Sequence, residues 1–430
     1  MDPASHLDDL AAFVSASPSS YHAAAAVRDR LVAAGYADLD EQADWSAAIA
    51  PGTRAVVVRD GAVLAFAVPG TATPTTPFRI LGAHTDSPAL KLKPSPSTGT
   101  SAWRQAGVEV YGGPILPSWF DRDLELAGRL VDRAGAVHLV RTGPVARVPH
   151  LAIHLDRDMG SGFAPDRQRD VQPVLGAGLP DGYDLLARLA EIAGLAAGDV
   201  LGYDVVTCDT QPPARIGLDG DLFASPRLDN LTSVHAGIVG LLESTPTDSI
   251  AVLAAFDHEE VGSESRSGAA GPFLADALDR ITGALGGDRE AAARARAGSW
   301  CLSADAGHAV HPNRPDRHDP EVRPVAGGGP LLKINAVQRY TTDAPGTALW
   351  ARVCETAAVP WQGFVSNNAV PCGSTIGPIT ATRLGVRTLD VGTPLLSMHS
   401  ARELCHVDDP GRLAAAAAVF LGAAERGVSA

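Results

Sequence analysis

Five side chains able to ligate a metal sit in five separate motifs. They are His84 in ILGAHTDSP, Asp229 in SPRLDN, Glu260 in FDHEEVGS, Asp305 in LSADAGHA and His399 in LLSMHSARE. Two imidazoles and three carboxylates match two zinc ions that share one carboxylate and keep a position open for water. Glu259 adjoins one of these ligands and has the chemistry of a general base. Asp86 follows His84 by two residues, the spacing at which a carboxylate can take the imidazole's second N–H and fix its tautomer. Together these groups point to hydrolysis of a peptide bond by water activated between two metals. The same ligands would also suit manganese or cobalt.

Each residue alone has a blander reading. Asp229 before Asn230 is a favoured helix N-cap. Glu259 and Glu260 could be solvated acids at a strand end, Asp305 an ordinary strand-end aspartate and His399 a loop histidine. The signal lies in their joint occurrence. Neighbours on a regular strand point to opposite faces, so Glu259 and Glu260 are expected to divide the work, one as base and one as ligand. His308 and His311 in GHAVHPN read as supporting or structural groups, and His258 as turned away from the metals.

Short apolar runs must position these groups. His84, Glu260 and Asp305 each follow one directly: FRILGAH, SIAVLAAFD and SWCLSADAG. His399 follows VRTLDVGTP by a short loop, and Asp229 opens the helical pattern of NLTSVHAGIVGLLES. Strands alternating with helices predict an α/β chain, with a mostly parallel central sheet covered by helices on both faces. In such sheets ligands bind beyond the carboxyl ends of the strands, so residues far apart in sequence meet on one rim.

The remaining elements complete the expectation. The chain reads as helical through about Leu39, with a break at Pro18. Asp60-Gly61 marks one hairpin and Asp132 to Gly135 a second. VPHLAIHLD and LLKINAVQRY read as strands, DGYDLLARLAEIAG as a helix, and RLAAAAAVFLGAAERG as a closing helix rich in the best helix former. At 430 residues the chain is long for one core. Residues 1–90 and 218–430 are expected to form a catalytic domain. Residues 91–217, rich in Gly, Pro and Ser, would form an inserted β-rich domain.

Composition narrows the alternatives. The formal net charge is -14 with no basic cluster, which argues against nucleic-acid binding. No apolar run approaches the ~20 residues of a membrane span. Five cysteines without a C-x-x-C pair argue against a disulfide framework and a thiolate zinc site. The acidic amino-terminal stretch does not read as a secretory signal. Cytoplasm is the expected compartment.

GAHTDSP, PHLAIHL, SPRLDN, DHEEVGS, SADAGHAVHPN, GGGPLLKIN, QRY, PCGSTIGP and SMHSARE, in that order, resemble the aspartyl aminopeptidase family, dinuclear zinc exopeptidases of the phosphorylase/hydrolase-like fold. The resemblance implies Asp229 as the bridging ligand, His84 and Asp305 on one metal, and Glu260 and His399 on the other. It implies Glu259 as base and Asp86 as orienter of His84. It further implies dimerisation through the inserted segment, with His154 reaching a neighbouring subunit's site to stabilise the oxyanion. Lys333 would meet the acidic side chain of the substrate's first residue, with Tyr340 lining that pocket and Gly373 to Gly377 near the substrate backbone. The implied partners are peptides with a free N-terminus and further copies of the chain, up to a tetrahedral dodecamer. The stretch Ser366 to Val370 departs from the family, which often has an acid there. Two other readings stand beside this one: an amidohydrolase or deacylase of the same metal clan, and a non-catalytic assembly protein that retains the fold.

Overall fold

The computed structural model describes residues 3–422. Phe78–His84 and Ile250–Phe256, seven-residue runs with every side chain buried, lie in the middle of a nine-stranded sheet. Runs with no polar face belong where both faces are covered. Across the sheet the order is Ala37–Asp38, Arg54–Arg59, Ala62–Ala67, Ile250–Phe256, Phe78–His84, Trp300–Ala304, Arg387–Gly392, Leu331–Lys333 and Gln362–Phe364. The central four, from Ile250–Phe256 to Arg387–Gly392, are parallel as expected. Antiparallel pairing enters on either side, at Ala62–Ala67 and Leu331–Lys333.

Alternation with period two divides the sheet between two cores. Leu81, Ala83, Ala251, Leu253 and Ala255 pack with the helices Pro3–Ala16, Ser20–Ala33, Leu228–Glu243, Ala344–Ala357 and Asp409–Gly422. Phe78, Ile80, Ile250, Val252, Ala254 and Phe256 pack on the other face with Phe273–Ala284, Arg289–Ala297 and Ile376–Leu384. The alanine tract serves packing as well as propensity. A Cβ on Gly240 would lie 2.9 Å from Leu421 Cδ1 and 3.3 Å from the Ala417 carbonyl carbon, so small residues let Leu228–Glu243 and Asp409–Gly422 approach closely.

A second, antiparallel sheet of six strands takes the order Val137–Arg141, Leu124–Asp132, Val200–Asp209, Ala89–Thr100, Trp103–Tyr111 and Val174–Ala177. It has its own apolar cluster around Leu90, Leu126, Leu130 and Leu189. Both expected hairpins form, and Pro18 falls between the first two helices.

Two strand expectations are corrected. In VPHLAIHLD only Val148 makes a bridge, to Phe120. Pro149 has no N–H for a ladder, and Leu151, Ile153 and Leu155 alternate with no strand opposite them, 53%, 54% and 74% exposed. In LLKINAVQRY the strand stops at Lys333. The Asn335 side chain accepts N–H groups from Val337 and Arg339 and bends the chain into a turn. The last residues of the expected closing helix, 423–430, lie outside the described residues. All five cysteines are free thiols. No helix among the described residues is long and apolar enough to cross a membrane.

Candidate metal centre

Parallel register brings the central strands to a common rim. Phe256 pairs with His84, Ser303 with Gly82 and Ala304 with Val391. His84 therefore ends its strand beside the turn that carries Glu259 and Glu260, and Asp305 follows directly on the next strand. Gly392 allows this closeness: a Cβ there would stand 1.6 Å from the Asp305 carbonyl oxygen. Asp229 arrives from the opposite direction, between the strand Leu222–Ser225 and the helix. Arg227 is left-handed (φ 54°), and Asp229 and Asn230 are non-helical, so Asp229 is not an ordinary N-cap. Asn230 Nδ2 donates to the Ala304 carbonyl at 2.8 Å, and Ser87 Oγ to the Asp229 carbonyl at 2.8 Å.

The two oxygens of Asp229 face different imidazoles. Oδ1 is 3.3 Å from His84 Nε2, and Oδ2 is 3.3 Å from His399 Nε2. Asp305 Oδ1 stands 3.8 Å from His84 Nε2, and Glu260 Oε1 3.3 Å from His399 Nε2. These separations are long for charge-assisted hydrogen bonds. They are close to ~3.3 Å, the ligand-to-ligand edge of a tetrahedron whose bonds are ~2.0–2.1 Å. Asp229 Oδ1 and Glu260 Oε1 are buried without a hydrogen-bond partner, an arrangement costly unless a cation meets them. Single ligand atoms of His84, Asp229 and Glu260 fit within 4.8 Å of one another. The residues present fit divalent metal ions.

A ring of partners holds the ligands. His84 Nδ1 lies 3.0 Å from the Asp86 backbone oxygen and 3.5 Å from Asp86 Oδ1, so the carbonyl is the nearer acceptor. The Asp86 carboxylate has further work. It accepts the N–H of Glu259 and of Glu260, each at 3.1 Å, and the Tyr111 hydroxyl at 2.7 Å. Glu259 and Glu260 lie in a one-turn 3-10 helix, Glu259–Val261, not in a strand, and Asp86 braces that turn. His399 is left-handed (φ 68°). Its Nδ1 lies 3.1 Å from the Gly113 carbonyl, and its N–H donates to Glu403 Oε1 at 2.7 Å. The other oxygen of Glu403 accepts the Asp229 N–H at 2.9 Å. Sequence reasoning missed Tyr111, Gly113 and Glu403. Only Glu403 left a trace there, as the acid that closes SMHSARE.

Negative charge crowds the centre. Burial, with Asp305, Glu260 and Asp86 adding and His84 opposing, pushes Glu259 up to about 8. Burial likewise raises Glu260 to about 7 against the pull of His399, and burial beside Asp229 raises Glu403 to about 8. Burial opposes a charge on the two imidazoles, but the surrounding carboxylates outweigh it. They hold His399 up to about 11 and His84 well above its ordinary range. The surrounding carboxylates thus favour the protonated form of both rings in the metal-free protein, whereas a metal takes the neutral ring. Metal binding at pH 7 is expected to release protons, and apparent affinity to rise with pH. Calorimetry in buffers of different ionisation enthalpy measures this; heats independent of buffer would refute it.

Lys333 is buried at 2% exposure, with Nζ donating to the Ala306 carbonyl at 2.6 Å and lying 5.3 Å from the Tyr340 ring centre. Tyr340 is buried against Leu331 and Phe364. The pair adjoins Asp305 through Ala306. Gly373 comes near the Tyr340 hydroxyl: a Cβ there would lie 3.8 Å from it. His154 is not among the clustered residues; it lies exposed beside Leu151, Ile153 and Leu155. His258 Nδ1 pairs with Ser265 Oγ at 2.9 Å. His311 organises a local turn, its N–H donating to His318 Nε2 at 3.0 Å. His308 stands near Phe364, ring centres 6.1 Å apart.

Comparison with known proteins identifies the family. The family model described as aminopeptidase I zinc metalloprotease (M18) matches residues 13–420. A probable M18 family aminopeptidase 2 of Streptomyces avermitilis is 53% identical over 424 residues, covering 97% of both chains. A protein of the same description from Mycobacterium leprae is 44% identical over 422 residues, covering 96% of this chain and 98% of that one. Among solved structures, the cryo-EM structure of the Ape4 and Nbr1 complex contains a chain that superposes with a TM-score of 0.93 at 35% identity, over 97% of this chain and 86% of that one. The mApe1 dodecamer of S. cerevisiae gives a TM-score of 0.84 at 26% identity, over 96% of both. The M18 family includes the aspartyl aminopeptidases that the motifs resemble. A match of this extent, on a fold whose strand ends gather imidazoles and carboxylates, has one conclusion: the chain belongs to the M18 family of aminopeptidase I zinc metalloproteases and is a metallo-aminopeptidase.

Proposed function

We propose that this enzyme is a dinuclear aminopeptidase that removes N-terminal Asp or Glu from peptides with a free N-terminus. The observation that carries the dinuclear reading is Asp229, with one oxygen at 3.3 Å from each imidazole. Asp229 would hold both ions, His84 and Asp305 completing one position and His399 and Glu260 the other. When bound, two divalent cations would lower the pKa of a shared water and polarise the scissile carbonyl. Glu259 takes the water's proton and returns it to the departing amine, a role suited to a carboxylate raised toward neutrality. Asp86 keeps Glu259 in place through its amide.

Lys333 supports the acidic preference. Its buried Nζ donates to a carbonyl rather than to a carboxylate. A substrate carboxylate would supply the missing counter-charge. The test is a panel of aminoacyl chromogenic substrates carrying Asp, Glu, Leu, Ala or Lys. Lys333→Met is expected to lower kcat/KM on Asp and Glu about 10–150-fold, as the loss of charged hydrogen bonds worth ~1.5–3 kcal/mol implies. It should leave Leu and Ala substrates near wild type. Equal losses on all five would discard Lys333 as the selector.

The segment 91–217 is proposed as a dimerisation domain. Exposed Leu151, Ile153 and Leu155 flank His154, and such an apolar edge is suited to cover by a second chain. That contact would carry His154 to a neighbouring centre to stabilise the oxyanion. The dodecamer named for the yeast structure supports a homo-oligomer, up to that size, here. Five free thiols suit a reducing compartment, the cytoplasm.

A further inference from the structure

Glu403 stands between the two chain segments that converge from opposite ends of the centre. Its strand, Glu403–His406, pairs antiparallel with Leu222–Ser225, and Ser225 is the partner of Glu403 itself. Four residues beyond Ser225 the chain reaches Asp229; four residues before Glu403 it passes His399. Neither ligand lies in regular structure. Arg227 and His399 are left-handed, and Asp229 is non-helical. The amides of Asp229 and His399 therefore lack the ladder partners that would fix them in a helix or sheet. Both point to one buried carboxylate, at 2.9 Å and 2.7 Å.

One side chain thus ties the backbone of the ligand shared by both positions to the backbone of a ligand that serves only the second. An N–H bound to a rigid acceptor fixes its own peptide plane, and the following Cα–Cβ direction follows from it. We infer that Glu403 is a positioning residue that sets the distance between the two metal positions by clamping the Asp229 and His399 backbones together. The inference rests on the dinuclear reading above. It adds a residue that touches neither metal nor substrate. Losing such a support is expected to weaken metal binding about 10–100-fold.

The test titrates Mn2+ into the chelated full-length protein and follows it by metal analysis and electron paramagnetic resonance. Two ions sharing Asp229 should give an exchange-coupled spectrum in the wild type. Glu403→Gln keeps the volume but replaces one acceptor oxygen by a donor; Glu403→Ala removes both acceptors. Both are expected to bind the second ion about 10–100-fold more weakly, to lose the coupled signal at Mn2+ levels that saturate the wild type, and to lower kcat with little change in KM. Glu125→Gln serves as control, since Glu125 is a buried acid paired with Arg141. It should lower stability and leave the spectrum unchanged. Should Glu403→Ala fail to fold, Glu403→Gln decides alone. Two coupled ions bound with wild-type affinity in the Gln variant would overturn the inference. A single ion in the wild type would instead remove the dinuclear reading, and with it the premise.

Discussion

Glu259→Gln is expected to lower kcat by about 10^2–10^4-fold, the range of a positioned general base, while metal content stays as in the wild type. Glu259 is held by its amide to Asp86, not by its carboxylate, so the substitution leaves the brace of the turn intact. The carboxylate oxygen that faces His399, at 3.3 Å, belongs to the neighbouring Glu260. An amide has the size of the carboxylate and cannot take a proton at any working pH. KM should change little, because a base acts on the transition state more than on binding. The measurement pairs steady-state kinetics with metal analysis on one preparation. A variant that turned over normally would end the assignment of Glu259. A variant that lost its metals would make Glu259 a ligand instead.

Asp229→Asn should have the second large effect, and of a different kind. Each Asp229 oxygen faces one imidazole at 3.3 Å, so replacing one oxygen by an NH2 group removes an acceptor and a charge shared by both positions. Metal content is expected to fall for both ions and activity to fall with it. Asp305→Asn, by contrast, touches only the His84 side and should spare the other ion. Metal analysis at limiting zinc separates the two patterns. Full occupancy in Asp229→Asn would refute the shared ligand. Thermal unfolding guards against a trivial cause, since Asp229 is buried.

His84 and Asp305 could be read from the sequence because each sits at the end of a buried apolar run. His84 closes seven buried residues, Asp305 follows five, and parallel register then dictates that they meet. The groups that could not be read act through contacts between segments that local pattern does not connect. Tyr111 lies 25 residues from Asp86 and ends a strand of the other sheet. Gly113 contributes only a carbonyl, which no side-chain type announces. Lys333 is named by the resemblance alone; its burial comes from the pairing of its strand between Arg387–Gly392 and Gln362–Phe364, which local pattern does not announce. Neighbouring glutamates were expected on opposite faces of a strand, but His258 (φ 64°) turns the chain just after Phe256 and places both in a tight turn. VPHLAIHLD shows the limit of alternation: the pattern proposes a face, and a strand forms only where another strand lies opposite.

The reach of Tyr111, which ends a strand of the six-stranded sheet, and of Gly113 and Ser118 just beyond it bears on the portability of this site. Tyr111 bonds Asp86, Gly113 faces His399 Nδ1, and Ser118 Oγ accepts the Ala401 N–H at 2.9 Å. Removing the stretch from Tyr111 to Ser118 would leave all five candidate ligands and Glu259 in the chain yet deprive His399 of the acceptor for its outer nitrogen. Grafting the five ligands onto another scaffold would meet the same obstacle. The candidate site extends beyond the nine-stranded sheet, and a change near Tyr111 or Gly113 is expected to reach it through Asp86 and His399.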